Sequence, residues 1–211
     1  MQGYYFITDS NLSVNGNLCD VREAVRAEVC YVQFREKKGS TLSLYREALR
    51  LRSECIGTKT KFIVNDRIDI ALAVDADGVH IGQDDMPLSV VRSILGPNKI
   101  IGVTVHNEEE AIEAEKGGAD YIGLAPVFAT STKEDSGNPC GVELISEIKR
   151  KLPIPVAAIG GINLDNALDV INAGADMICA ISAVVTKDDV FGEIKKFQRL
   201  FFSVPKEGQK N

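Results

Sequence analysis

No two cysteines in this chain are spaced as C-x-x-C; the five (19, 30, 55, 140 and 179) are scattered and odd in number. That pattern argues against a thiolate metal site or a disulfide frame and points to reduced thiols in an intracellular protein. Dense Lys/Arg blocks are also lacking, and the formal net charge is -6. Neither a nucleic acid nor a membrane surface is therefore an expected partner. No apolar stretch reaches spanning length, and the N-terminus carries no basic-plus-apolar leader, so the expected location is the cytoplasm. A Ser-His-Asp order, an H-E-x-x-H pair and a Walker loop are missing as well. What remains is a chain of 211 residues, 45% hydrophobic and 26% charged. Those values suit one soluble domain with a sizeable core.

Eight short apolar runs are present: Tyr4–Thr8, Val29–Phe34, Lys61–Val64, Gly78–Ile81, Ile100–Val103, Tyr121–Leu124, Val156–Ile159 and Met177–Ile181. Such runs read as strands buried on both faces of a parallel sheet. Between them, apolar residues recur at three- and four-residue intervals in Leu42–Cys55, Ile68–Val74, Leu88–Leu95, Glu108–Lys116, Val142–Lys151, Asn166–Ala173 and Asp188–Phe202. These read as helices. Asp75-Ala76-Asp77, Gly118-Ala119-Asp120 and Gly174-Ala175-Asp176 echo one another, each closing a helix and leading into a strand. The alternation predicts a single (β/α)8 barrel of the TIM type over residues 1–202, with a frayed polar tail over 203–211. An open doubly wound sheet is the alternative. It calls for a G-x-G-x-x-G turn after the first strand, where this chain has Thr8-Asp9-Ser10-Asn11.

Charged residues follow several strands directly: Gln33-Phe34-Arg35-Glu36-Lys37 after the second, Asn65-Asp66-Arg67 after the third, Asp84-Asp85 after the fourth. Strand ends are where barrel enzymes keep their chemistry. Asn65-Asp66 and Asp85 each have an ordinary reading as helix caps. Placed at the ends of neighbouring strands, however, Asp66 and Asp85 can converge, and two carboxylates with room for water and phosphate oxygens suit Mg²⁺. Gln33, Arg35 and Lys37 alternate and share one face if the strand direction persists. Alone they read as a solvated charge run. Opposite two acids, the cations suit a diphosphate.

Lys133, in Thr130-Ser131-Thr132-Lys133, follows the sixth strand and adds a third cation; by itself the segment is an ordinary loop. Gly160-Gly161 follows strand seven and Ile181-Ser182-Ala183 follows strand eight, the two places where barrels commonly hold a phosphate with backbone amides. His80 and His106 read as structural histidines, and Asn107-Glu108-Glu109-Glu110 as a capping box.

These segments, together with Gly78-Val79-His80-Ile81-Gly82-Gln83 and Ala158-Ile159-Gly160-Gly161-Ile162, resemble the thiamine-phosphate synthase family, also called thiamine-phosphate pyrophosphorylase. The likeness runs from Ile7-Thr8-Asp9 to Ile181-Ser182-Ala183. It implies a (β/α)8 barrel that joins a hydroxymethylpyrimidine diphosphate to a thiazole phosphate with Mg²⁺, releasing pyrophosphate. By the same resemblance Gln33, Phe34, Arg35, Glu36, Lys37 and Asn65 hold the pyrimidine diphosphate, and Asp66 and Asp85 hold the metal. Thr130, Thr132, Gly161, Ile181 and Ser182 hold the thiazole phosphate, and Ser131 joins the substrate-binding set; Arg35, Lys37 and Lys133 neutralise the leaving diphosphate. Thr104 also joins the substrate-binding set. It stands where the family usually has Ser, which keeps the hydroxyl and adds a methyl. Ala27-Glu28 replaces the family's Gly-Gly before strand two, a departure that concerns only a local turn.

Two rival readings differ in specific residues. The related thiazole tautomerase shares the barrel but lacks the acid at the Asp66 position and the acidic pair after strand four; it relies on a histidine where this chain has Pro126. A non-catalytic barrel that senses thiamine precursors has no need of a metal and three cations together. Both small-molecule substrates are expected partners, and a homo-oligomer is compatible with the sequence.

Overall fold

Side chains along the strands alternate between two separate cores. Tyr4, Phe6, Val32, Phe34, Phe62 and Val64 face outward into a large cluster shared with the surrounding helices. Tyr5, Ile7, Tyr31, Ile63, Tyr121, Ala157, Met177 and Cys179 face inward and fill the centre. Two buried faces per strand explain why these segments read as unbroken apolar runs. The computed structural model describes residues 2–130 and 137–203.

Eight parallel strands make a closed barrel in chain order. They are β1 (Gly3–Ile7), β2 (Tyr31–Phe34), β3 (Lys61–Asn65), β4 (Gly78–Ile81), β5 (Ile100–Val105), β6 (Tyr121–Leu124), β7 (Val156–Ile159) and β8 (Met177–Cys179). β8 pairs back onto β1, Gly3 beside Met177, so no edge strand remains. The helices described are α1 (Asn17–Arg26), α2 (Thr41–Cys55), α3 (Ile68–Ala73), α4 (Leu88–Leu95), α5 (Glu108–Lys116), α6 (Glu143–Lys151), α7 (Ala167–Asn172), α8 (Ile181–Val185) and α9 (Val190–Ser203). The (β/α)8 expectation holds. Two elements differ from the sequence reading. α1 was not anticipated, and the run Met177–Ile181 is split, with the strand stopping at Cys179 and Ile181 opening α8. The predicted tail is helical at Ser203, within α9, and its remainder, 204–211, lies outside the described residues.

The echoed Ala-Asp segments have a common structural cause. Asp77 accepts from the amide of Phe62 at 2.9 Å, Asp120 from that of Ile101 at 2.8 Å and Asp176 from that of Val156 at 2.9 Å. Each carboxylate also meets a base: Lys61 and Arg52 at Asp77, Arg92 at Asp120, Lys149 at Asp176. Three times, then, an acid entering one strand ties down the first turn of the strand before it. This fastens β3 to β4, β5 to β6 and β7 to β8 at the end of the barrel away from the loops that follow the strands.

All five cysteines are free. Burial pushes the Cys30 thiol up to about 11 and the Cys55 thiol up to about 12, so neither is a nucleophile at neutral pH. At the replaced glycine pair, Ala27 caps α1 and Glu28 takes a left-handed conformation, φ 58°. A non-glycine residue there costs roughly 1–2 kcal/mol.

Candidate active site

A cavity of about 320 Å³ opens at the C-terminal ends of the strands. Ile7, His80, Ile159 and Cys179 line its base, and the inward tyrosines pack beneath them. The ring of Tyr5 meets Tyr31 and Tyr121 edge-on, with centroids 5.2 and 5.8 Å apart. Gly102 makes room for this plug: a Cβ there would fall 2.1 Å from the Tyr121 ring. The barrel is therefore packed below the cavity, as barrel interiors generally are.

One wall is charged. Gln33, Arg35 and Lys37 all line the cavity, so the alternating direction of β2 persists beyond its last paired residue. Phe34 points the other way and is buried in the outer core, and Glu36 is turned from the cavity. Glu36 instead accepts from Ser10 Oγ, and at 2.8 Å from the Lys38 amide, bracing the loop. Among the described residues Arg35 forms no ion pair, leaving its guanidinium to the cavity.

Asn65 and Asp66 come next along the wall. Asp66 sits at φ 58°, a left-handed position that Asn and Asp tolerate better than most residues. Neither residue caps α3: that helix starts from Arg67, without a side-chain cap. Asp85 likewise does not cap α4, whose cap position is Pro87; its Oδ2 accepts from the Gly82 amide at 2.7 Å. Burial pushes the Asp85 carboxyl above the usual range, and the carboxylate of Asp66 beside it pushes further. The two acids thus converge. Lys37 Nζ lies 2.6 Å from Asp66 Oδ2. Asp84, unassigned in the sequence reading, also reaches the cavity.

Across the cavity lie Thr130, Gly160, Gly161, Ile181 and Ser182. Gly161 has φ 64°, and a Cβ there would fall 2.5 Å from the Ala129 carbonyl oxygen. Only glycine fits. Ser131, Thr132 and Lys133 lie outside the described residues. Thr104 and His80 stand between the two walls.

His80 is the residue that sequence reasoning undervalued. It is buried, lines the cavity, and lies 2.8 Å through Nε2 from Thr104 Oγ1. The strand period carried the signal: Val79 and Ile81 face outward, so His80 must face in. His106 also lines the cavity but pairs with Glu110 at 2.9 Å. Asn107 caps α5 as expected, accepting from the Glu110 amide at 2.8 Å.

Two convergent acids with a neighbouring cation suit a cation that takes few protein oxygens, such as Mg²⁺. A zinc-type cage is not built here: among the described residues no group of three or more His, Cys, Asp or Glu could hold a metal.

The family profile described as Thiamine monophosphate synthase matches residues 4–184. A thiamine-phosphate synthase of Methanosarcina mazei is 55% identical over 194 residues, covering 92% of this chain and 80% of that protein. One from Chloroflexus aurantiacus is 46% identical over 197 residues, covering 93% and 91%. Among solved structures, a thiamine phosphate pyrophosphorylase from Pyrococcus furiosus superposes with a TM-score of 0.87 at 41% identity, covering 95% of this chain and 96% of that one.

Proposed function

The chain belongs to the thiamine monophosphate synthase family and is a transferase; from that premise we propose that it joins 4-amino-2-methyl-5-hydroxymethylpyrimidine diphosphate to 4-methyl-5-hydroxyethylthiazole phosphate, or its carboxylated form, releasing pyrophosphate. One observation carries this reading: Arg35, Lys37, Asp66 and Asp85 line one wall of the cavity, Lys37 paired with Asp66, and the opposite wall is the Gly160-Gly161 and Ile181-Ser182 turns. A charge-matched wall suits a diphosphate. A glycine turn beside a helix start suits a single phosphate.

Asp66 and Asp85 would hold Mg²⁺, whose chemistry is to neutralise charge on phosphate oxygens. Arg35 and Lys37 bind the diphosphate, and Lys133 joins them in the assignment drawn from sequence. The bond between the pyrimidine methylene and the diphosphate oxygen breaks, and its electron pair leaves with pyrophosphate. The thiazole nitrogen then donates its lone pair to the methylene cation, closing the new C–N bond. No proton need move in either step. The side chains contribute position and electrostatic stabilisation rather than a general base. Gln33, Asn65 and Thr104 orient the pyrimidine half; Thr130, Gly161 and Ser182 orient the thiazole phosphate.

The enzyme acts in the cytoplasm on small molecules, with neither nucleic acid nor membrane as partner. Among the described residues no helix is long and apolar enough to cross a membrane. The test mixes purified protein with both substrates and Mg²⁺ and follows pyrophosphate. Release that requires both substrates is the expected result. Thiazole phosphate binding without release overturns the proposal.

A further inference from the structure

Five polar side chains from five strands form one unbroken line beneath the cavity. Gln33 Nε2 donates to the Tyr5 hydroxyl at 2.6 Å, and Tyr5 meets the Tyr121 hydroxyl at 2.7 Å. Tyr121 meets His80 Nδ1 at 3.0 Å, and His80 Nε2 meets Thr104 Oγ1 at 2.8 Å. Gln33 and Thr104, the two ends, both line the cavity; Tyr5 and Tyr121, in the middle, are fully buried.

Counting protons gives this line a direction. Each phenol has one proton to donate, and burial pushes both phenols well above their usual range, so both keep it. The Tyr5 oxygen already accepts from Gln33. Its sole other hydrogen-bond neighbour among the described residues is Tyr121. The Tyr5 proton must therefore go to Tyr121, and the Tyr121 proton to His80 Nδ1. Nδ1 is then an acceptor, and the ring proton sits on Nε2, donated to Thr104. Running the line backwards would leave the Tyr5 O–H buried without an acceptor, a cost of about 1–3 kcal/mol. Reversal becomes favourable only if Gln33 presents an acceptor instead of its amide N–H.

We propose that Tyr5 and Tyr121 are positioning residues that couple the orientation of the Gln33 carboxamide to the tautomer of His80 and the hydroxyl direction of Thr104 across the barrel. With Nε2 held by Tyr5, Gln33 keeps its carboxamide oxygen, which has no partner among the described residues, for the cavity. Thr104, accepting from His80, keeps its own proton to donate. The cavity thus offers one acceptor and one donor of set polarity, which the edge of an aminopyrimidine matches and the opposite pattern does not. This last consequence rests on the synthase reading. The tautomer itself does not.

Long-range ¹H–¹⁵N correlation spectra of the ¹⁵N-labelled protein test the coupling directly, because the chain has two histidines and His106→Gln assigns them. Native His80 is expected to show the Nε2–H pattern at pH 8. In Gln33→Glu the carboxylate can only accept, so every bond in the line reverses and His80 is expected to show the Nδ1–H pattern. Adding Tyr5→Phe to that variant cuts the line and returns His80 to Nε2–H. A native Nδ1–H pattern, or an unchanged tautomer in a folded Gln33→Glu variant, overturns the proposal. Should that variant not fold, Tyr121→Phe decides: a mixture of both tautomers supports the coupling and a spectrum like the native one overturns it. In the synthase assay, Tyr5→Phe alone is expected to raise KM for the pyrimidine diphosphate about tenfold with kcat nearly constant, the signature of lost ground-state orientation. If tautomers shift as expected while neither protein nor variant releases pyrophosphate, the coupling stands and the synthase reading falls.

Discussion

Lys37 Nζ lies 2.6 Å from Asp66 Oδ2, joining the end of β2 to the end of β3 across the lip of the cavity. A cation assigned to the diphosphate and an acid assigned to the metal thus neutralise each other. The ammonium is half exposed, so the pair contributes little to stability, about 0–1 kcal/mol. Its importance is competitive. A divalent ion taking Asp66 Oδ2 displaces the ammonium, which then faces the incoming phosphate oxygens. Lys37→Met is therefore expected to tighten Mg²⁺ binding by calorimetry about three- to fivefold, matching the lost pair, while lowering kcat/KM for the pyrimidine diphosphate by about 10²-fold. Unchanged Mg²⁺ affinity would dissociate Lys37 from the metal site.

Asp66→Asn and Asp85→Asn separate chemistry from folding. Asn accepts the left-handed backbone of position 66, and neither acid caps a helix. Both variants are expected to keep their thermal midpoints within about 2 °C and to lose turnover by about 10²-fold or more. Activity surviving in either one would remove that acid from the metal.

Gly161→Ala should act on one substrate only. The added methyl cannot avoid the Ala129 carbonyl, 2.5 Å away, and φ 64° strains it further. KM for the thiazole phosphate is expected to rise about tenfold or more, with the pyrimidine diphosphate little affected. Equal losses for both substrates would mean that the turn shapes the whole cavity rather than one phosphate subsite.

Asp120→Ala should show the reverse pattern. It strips the Ile101 amide of its acceptor at the far end of the barrel and removes the ion pair of Arg92, whose bonds to the Gly96, Lys99 and Gly118 carbonyls remain. Leaving that amide unsatisfied costs about 1–3 kcal/mol. Denaturant midpoints should fall while KM for both substrates stays constant.

A pH series on Asp20 isolates a stability effect remote from the acids of the cavity. Asp20 is buried, with Oδ2 accepting from Ser13 at 2.6 Å and Oδ1 without a partner among the described residues. Burial pushes its carboxyl above the ordinary value of 3.8. A raised acid binds its proton more tightly folded than unfolded. Its contribution to folding is then present below about 3.8 and is lost as the pH rises through the folded value. Asp20→Asn should match the native midpoint near pH 3.5 and exceed it by roughly 2 °C at pH 7. A gap that does not grow with pH would refute the assignment.

The barrel was legible because both faces of each strand are buried, so runs such as Gly78–Ile81 and Tyr121–Leu124 carry almost no polar interruption. The echoed Ala-Asp segments were legible as a repeat, but their purpose was not, since the accepting amide lies in the preceding strand. α1 stayed hidden because its cap position is Gly16, which offers no side-chain cap. The cations and acids of the wall were found from their place after strands. The line from Gln33 to Thr104 was not. It joins positions 5, 33, 80, 104 and 121, brought together by barrel closure alone.

The tyrosine plug under the cavity also dictates traffic. With Tyr5, Tyr31 and Tyr121 sealing the centre, there is no rear exit. Two substrates must arrive, and pyrophosphate and the larger product must depart, through one doorway. With the two proposed subsites on facing walls, that doorway is shared, and the same opening that admits the reactants has to pass the bulkier joined molecule.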